Sequence, residues 1–288
     1  MTRTSRDPAH NPSSQTATTT LADNLPGQFA IVELMRLHNE APPRSRLAAL
    51  VGLSPLSAAS RPLFEAAVGE IEVGETLATL GEGWVVLHAL PVGVEGSNVD
   101  HIDHVAIGKG GIFIINTTNH AGQTVWASQR AFLVSGIRHP YIRNMEYEMG
   151  RAERLLGSAA GIPVEVSGIL AVVAAKSITV RDRHRDVTIL PIGELVQWLR
   201  ARPIALTAEE VCAVSKAAAL DTTWFRGGDP VGDRRQLLAQ FTALRAEVRR
   251  AWRLQVVWAA GLTVLGAGGF VAVTYSILVG ALATLSNR

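Results

Sequence analysis

The chain has 288 residues, enough for one good-sized domain with accessories or two small ones. A formal net charge of +2 is too small to argue for bulk nucleic-acid binding, and a single cysteine, Cys212, excludes an intramolecular disulfide and a cysteine-based zinc site. Lysine is confined to Lys109, Lys176 and Lys216, so a lysine missing from a site has few replacements.

The first residues, MTRTSRDPAHNPSSQTATTT, are basic but lack the apolar core of a signal peptide, and their Ser, Thr and Pro content predicts a disordered tail over 1–26. A helical segment is expected over 27–67: GQFAIVELMRLHNE has helical periodicity and stops before Pro42-Pro43. A stronger helix runs from Pro62 to Leu80, with Phe64, Val68, Ile71, Leu77 and Leu80 as its apolar positions and Glu75 within it.

Strands follow. Trp84–Leu90 is one, Pro91–Asn98 a glycine-rich loop, Val99–Ile107 the next strand, and Lys109-Gly110-Gly111 a hairpin turn. Ile112–Ile115 is wholly apolar, as in a central strand buried on both faces. Gln123–Ser128 and Ala131–Val134 form a second hairpin, Tyr141–Leu156 a helix, Val164–Ala174 another apolar strand, Val187–Leu190 a shorter one and Gly193–Leu199 a helix. Thr207-Ala-Glu-Glu210 is a capping box, and the helix it opens should carry Cys212 as a buried structural thiol. The pattern predicts an α/β domain with a mixed sheet over 68–200, followed by a helical juxtamembrane segment over 206–252.

From Leu254 to Leu285 no residue is charged, which suffices for one tilted membrane span of about 20 residues or more. Arg234, Arg235, Arg245, Arg249, Arg250 and Arg253 precede this stretch and only Arg288 follows it. The excess places the N-terminal domain in the cytoplasm, with a single-pass helix over 254–285 in the plasma membrane and Trp252 and Trp258 at the headgroup level. The partner expected there is membrane lipid, its anionic headgroups facing the arginines.

Asp100, His101, Asp103 and His104 fall within five residues of one strand. Alternation puts His101 and Asp103 on one face and Asp100 and His104 on the other, so the four cannot form one metal site. Asp103 with Glu75 and the end of the next strand, Asn116 to Thr118, is the better grouping; the plain alternative is that the cluster caps turns and helices. Magnesium binds through one or two carboxylates plus water and phosphate oxygens. A nuclease site also needs a cation to orient water and stabilise charge on phosphate. Asn116 carries no charge and Thr118 no cation, which leaves an acid and a lysine wanting. RDRHR at 181–185 could touch phosphate, although one basic run is more often a solvated loop.

GETLATL (74–80), VLHALPVG (86–93), NVDHIDHVAIG (98–108), GGIFIINTTNHAG (110–122) and PYIRN (140–144) together resemble the NERD domain, the nuclease-related domain, of the actinobacterial membrane-anchored type. The resemblance covers about 62–225. It implies a restriction-endonuclease-like α/β fold, a mixed sheet flanked by helices, and a role in DNA processing. It also implies Glu75 and Asp103 as catalytic and metal residues with Mg2+, Asn116 where the family has Glu or Asp, Thr118 where it has Lys, and Asn144 near a position that is often Gln. Two of the three central positions thus depart from the pattern.

Three readings compete. The first is a membrane-anchored domain that has lost efficient cleavage and binds nucleic acid, with DNA and RNA both open, or acts as a scaffold. The second is a Mg2+-dependent phosphodiesterase using Glu75 and Asp103, with His120 or Lys176 as the displaced cation. The third is a structural protein whose partner docks on the 206–250 helices.

Overall fold

A computed structural model describes residues 21–94, 100–182, 184–226 and 233–286, with side chains excluded at Val94, at Leu262 and from Val264 onward. The tail to residue 20, the end of the 91–98 loop with Val99, and Arg183 therefore lie outside the described residues. Residues 21–26 do not continue the tail. Leu21 is buried in the core, its N–H bonds Ala219 O, and Asn24 Nδ2 donates to the buried carbonyl of Ala89 at 2.8 Å.

Three helices come first: α1 (Gln28–Glu40), the short α2 (Arg46–Leu50) and α3 (Ser60–Leu77). Three long antiparallel strands follow, β1 (Trp84–Val94), β2 (Asp100–Gly108) and β3 (Gly111–Asn119). A small excursion, β4 (Thr124–Ser128), β5 (Ala131–Val134) and β6 (Ile137–His139), leads into α4 (Tyr141–Ala160). Then come β7 (Val166–Val173), β8 (Ser177–Val180), β9 (Val187–Pro191), α5 (Ile192–Arg200), α6 (Ala208–Ala218), α7 (Asp221–Trp224), β10 (Phe225–Arg226) and α8 (Arg234–Ser286).

The main sheet has six strands in the order β10-β1-β2-β3-β7-β9, antiparallel among β1, β2 and β3 and parallel from β3 to β7 to β9. A second sheet, β6-β5-β4-β8, was not foreseen as a unit, because the parallel β4–β8 pairing joins segments some fifty residues apart. The molecule is thus mixed α/β, with mixed sheets flanked by helices.

β3 is central, and its apolar run explains why. Ile112 and Ile114 face the core that holds α4 through Met145, Met149 and Ala152, while Phe113 and Ile115 face the core that holds α3 through Val73 and Leu77. Period two then fixes what comes next: Asn116 and Thr118 point toward α4, and Thr117 and Asn119 toward α3. The close approach of α4 depends on Gly168 of β7, where a Cβ would collide with Met145 and would lie 2.7 Å from Met149 Sδ.

A third core joins α1, α3 and the start of α8 through Ile31, Leu34, Ala67, Leu237, Phe241 and Leu244. Farther along α8, Trp258 Nε1 donates to Leu50 O at 3.0 Å, and Gly52 packs against the backbone of Ala251 and Gln255. Large apolar side chains stay exposed around this junction: Leu47, Leu50, Val51 and Leu53 beside Trp252, Val256, Val257 and Trp258. Among the described residues no helix is long and apolar enough to cross a membrane. Most of the 254–285 stretch lies outside the residues whose side chains are described.

The Thr207 capping box forms as expected, its hydroxyl accepting from Glu210 N–H and the Glu210 carboxylate from Thr207 N–H. Cys212, however, is exposed. The buried positions of α6 are Val214, Ala217 and Ala218, and a residue two before Val214 lies about 200° away around the helix.

Candidate functional site

Cross-strand pairing of His104 with Ile115 makes Asp103 and Asn116 neighbours at the open end of β2 and β3. Asp103 Oδ2 accepts the Thr117 N–H at 2.8 Å, and its Oδ1 lies 3.6 Å from His101 Nε2. Phe29 of α1 stacks on the His101 ring with centroids 5.0 Å apart and so fixes its orientation. His101 and Asp103 thus share a face, as alternation required, while His104 turns to the other side and is fully buried there.

The glutamate that α3 brings to Asp103 is Glu70. Glu70, His101 and Asp103 each offer a ligand atom, all within 4.8 Å of one another. Glu70 is 4% exposed, and its Oε2 has no hydrogen-bond partner among the described residues. Glu75 is corrected by this geometry: it is exposed, five residues on and so about 140° around the helix from Glu70. The buried stripe of α3 runs Ala67, Glu70, Val73, Gly74, Leu77, and a carboxylate within such a stripe is the signal that could have found it. Gly69 lets α3 sit against β3, since a Cβ there would lie 3.1 Å from both Thr117 Cγ2 and Asn119 Cβ.

The electrostatics suit a missing positive charge. Burial, and then the Asp103 charge, hold the Glu70 carboxyl well above the usual range, against a hydrogen bond from Gly27 N–H. Burial likewise raises Asp103, although His101 and the Thr117 N–H pull it down. A further acid joins from α4: Glu148 Oε2 accepts from Asn116 Nδ2 at 2.7 Å. Burial pushes Glu148 up to about 7, with the Asp103 and Asp100 charges adding to the shift. A divalent cation fits this donor set. The atoms are mostly carboxylate oxygens, the choice of Mg2+ or Mn2+, and opposite ligands of such an ion stand about 4.2 Å apart.

The remaining expected residues fall as follows. Thr118 is buried on the α4 side, its hydroxyl without a partner among the described residues. His120 packs among Phe132, His139 and Tyr141, and Lys176 is exposed with its N–H on Gln123 O, so neither belongs to the acid cluster. Asn144 is exposed on α4. The cation that does approach is Arg151, one turn beyond Glu148, with Nη1 4.0 Å from Asp100 Oδ2.

A basic groove lies toward the N-terminus of the same helix. Arg130, Arg143 and Arg185 line a cavity of about 400 Å3 with Glu146 and His184, and Arg138 and His139 extend it beyond Arg143. His184 Nδ1 accepts the N–H groups of Asp186 and Val187, which leaves Nε2 to face Glu146 at 3.2 Å. No carboxylate among the described residues pairs with Arg130, Arg143 or Arg185. Arg143 and Glu148 are five residues apart on α4, about 7.5 Å along its axis. They also stand about 140° apart around it, so groove and acid cluster lie on opposite flanks of the helix.

Residues 65–173 match NERD, the nuclease-related domain. The matched NERD region begins just before Glu70 and ends with β7, so it contains Glu70, Asp103, Asn116 and Glu148. Gly27 and Phe29, which brace the cluster, lie outside it. No curated protein matches the chain. Among solved structures, Pyrococcus furiosus SfsA in complex with Ca2+ aligns at 14% identity, covering 58% of this chain and 55% of that one, with a TM-score of 0.19. The chain thus spans little more than half of that protein's length, and a likeness so slight carries no argument about fold or ligand.

Proposed function

We propose that this chain is a membrane-anchored, nuclease-related protein of restriction-endonuclease-like fold that binds a divalent cation and a nucleic-acid backbone without efficient cleavage. One observation carries the reading: Glu70, His101 and Asp103 converge, while Asn116 and Thr118 stand where a hydrolytic strand would carry acid and lysine. A bound cation would neutralise the clustered carboxylates and offer positive charge to a phosphate oxygen. Arg130, Arg143 and Arg185, which meet no carboxylate among the described residues, hold further phosphates of the same backbone, a guanidinium pairing with them in bidentate fashion. Without a cation at 118, nothing on β3 orients a water for attack, and binding outlasts chemistry. DNA is the expected nucleic acid.

Anchoring draws on three features. The stretch 254–285 has no charge, six arginines precede it and one follows, and the exposed apolar residues of 47–53 and 252–258 adjoin its start. The plasma membrane, crossed once with the domain on the cytoplasmic side, fits that distribution.

A second reading, slow metal-dependent phosphodiester hydrolysis, has Arg151 in its favour, as a cation beside Asp100 and Glu148. The test is calorimetric titration of the full chain in nanodiscs with Mn2+ and Mg2+, alongside DNA binding and cleavage assays. Cation and DNA binding with little cleavage, cation binding being lost in Asp103→Ala, is expected. Metal-dependent cleavage abolished by Asp103→Ala establishes the second reading. Absence of cation binding by the folded chain removes both.

A further inference from the structure

We propose that Glu148 is a cation ligand of this site, supplying from α4 the carboxylate that β3 lacks at position 116, with Asn116 as the residue that positions it. The inference rests on the cation reading above and names a ligand which that reading does not.

Geometry brings the three side chains into one row. Asp103 and Asn116 are cross-strand neighbours on β2 and β3, and neighbours of that kind project from the same face of an antiparallel pair. Asn116 then holds Glu148 by a 2.7 Å hydrogen bond from Nδ2 to Oε2. That bond uses one amide donor only. Asn116 Oδ1 is buried and has no partner among the described residues, as is true of Glu70 Oε2. Glu70, His101 and Asp103 offer ligand atoms within 4.8 Å of one another, and Glu148 is joined to this group through Asn116. The two orphaned acceptor oxygens leave an excess of lone pairs over donors, which buried acceptors rarely show. A hard cation relieves that excess, taking oxygen ligands from Asp103, Glu70 and Glu148.

α4 is built to deliver this acid. Its buried stripe is Ile142, Met145, Met149, Ala152 and Leu156, so Glu148 sits on the stripe's edge, half-buried. Arg151 follows on the same flank and partly offsets the charge. A glutamate retained only as Asn116's acceptor would need no charge, and glutamine would serve equally.

That distinction gives the experiment. Full-length wild type, Glu148→Gln and the double variant Asn116→Asp/Glu148→Gln are titrated with Mn2+ by calorimetry and by the loss of the free-ion electron paramagnetic resonance signal, with circular dichroism to verify folding. Glutamine still accepts from Asn116, so the fold is retained while the charge is lost. The expected result is Mn2+ affinity at least tenfold weaker in Glu148→Gln, restored toward wild type when Asn116→Asp returns a carboxylate to β3. Equal affinity of wild type and Glu148→Gln would overturn the proposal and leave the cation reading standing. A weakened Glu148→Gln that the double variant fails to restore would also overturn it, since Glu148 would then act through packing. Failure of wild type itself to bind Mn2+ would remove the underlying reading and this proposal with it.

Discussion

The Nδ1 atoms of His88 and His104 lie 2.8 Å apart on neighbouring strands, with the rings edge to face. One proton must sit between them, so one ring donates and the other accepts, and the bond is lost once both rings are charged. His104 Nε2 also lies 3.4 Å from Thr117 Oγ1, on the residue whose N–H holds Asp103. The pair is therefore a buried brace directly behind the cluster.

Acid should weaken that brace. Burial lowers His88 to about 4, and burial with the neighbouring ring lowers His104 well below its usual range. Between pH 6.5 and about 4 the unfolded chain takes up protons that the folded pair refuses. This contribution is therefore complete above pH 6.5 and is lost as pH falls, by about 1.4 kcal/mol per pH unit for each proton. The raised carboxylates work oppositely, holding protons in the folded state, so a comparison must cancel them. The stability gap between wild type and His88→Gln in urea titrations is expected to narrow from pH 7.5 to pH 5. A gap that stays constant would show that the pair does not resist protonation.

Glu70→Gln should raise the stability of the cation-free chain at pH 7.5. The carboxyl is buried beside Asp103 and costs free energy whenever it ionises, about 1.4 kcal/mol for each unit that its pKa is raised. Thermal unfolding in EDTA checks this, with an increase of at least 1 kcal/mol expected. The same variant should bind Mn2+ more weakly, because a site that gathers like charges holds its cation at the expense of the empty fold.

Arg130→Ala/Arg143→Ala should weaken duplex DNA binding and lower its salt dependence. Each phosphate contact contributes about 0.9 to the slope of log affinity against log salt, so the slope should fall by about 2. Arg245→Ala/Arg249→Ala, on α8, serves as the control with an unchanged slope. Equal slopes in all three proteins would place the nucleic acid elsewhere.

Gly168→Ala should cost about 1–3 kcal/mol, since a methyl group there meets Met145 and Met149 and overpacks the α4 contact. Because Glu148 rides on the same helix, Mn2+ affinity should fall with stability. A variant as stable as wild type would mean that α4 shifts without penalty.

The fold was largely legible where periodicity speaks alone. The run Ile112–Ile115, the Thr207 capping box and the His101/Asp103 alternation all follow from spacing within one element. The site was legible on its strands and not on its helices. Two Gly-Glu dipeptides, Gly69-Glu70 and Gly74-Glu75, stand five residues apart, and the motif by itself does not say which glutamate turns inward. The phase of the buried stripe does. Glu148 gave a weaker sign, a carboxylate at the edge of the Met145/Met149 stripe, because nothing in one sequence tells which helix crosses which strand. The second sheet was missed for the same reason, since it depends on partners distant in the chain. The exposure of Cys212 instead follows from the phase of the Val214, Ala217 and Ala218 stripe within α6.

Phe241 of α8 packs on Phe64 of α3 with ring centroids 5.9 Å apart, and Trp258 ties the same helix to Leu50. The helix that leads to the uncharged stretch is thus fastened to the domain at two heights, and one fastening lies on the helix that bears Glu70. Two such fastenings restrain the domain from swivelling about this helix. Under the membrane reading its cation pocket keeps one compass bearing, and it meets a strand by drifting sideways in the plane of the bilayer rather than by tumbling.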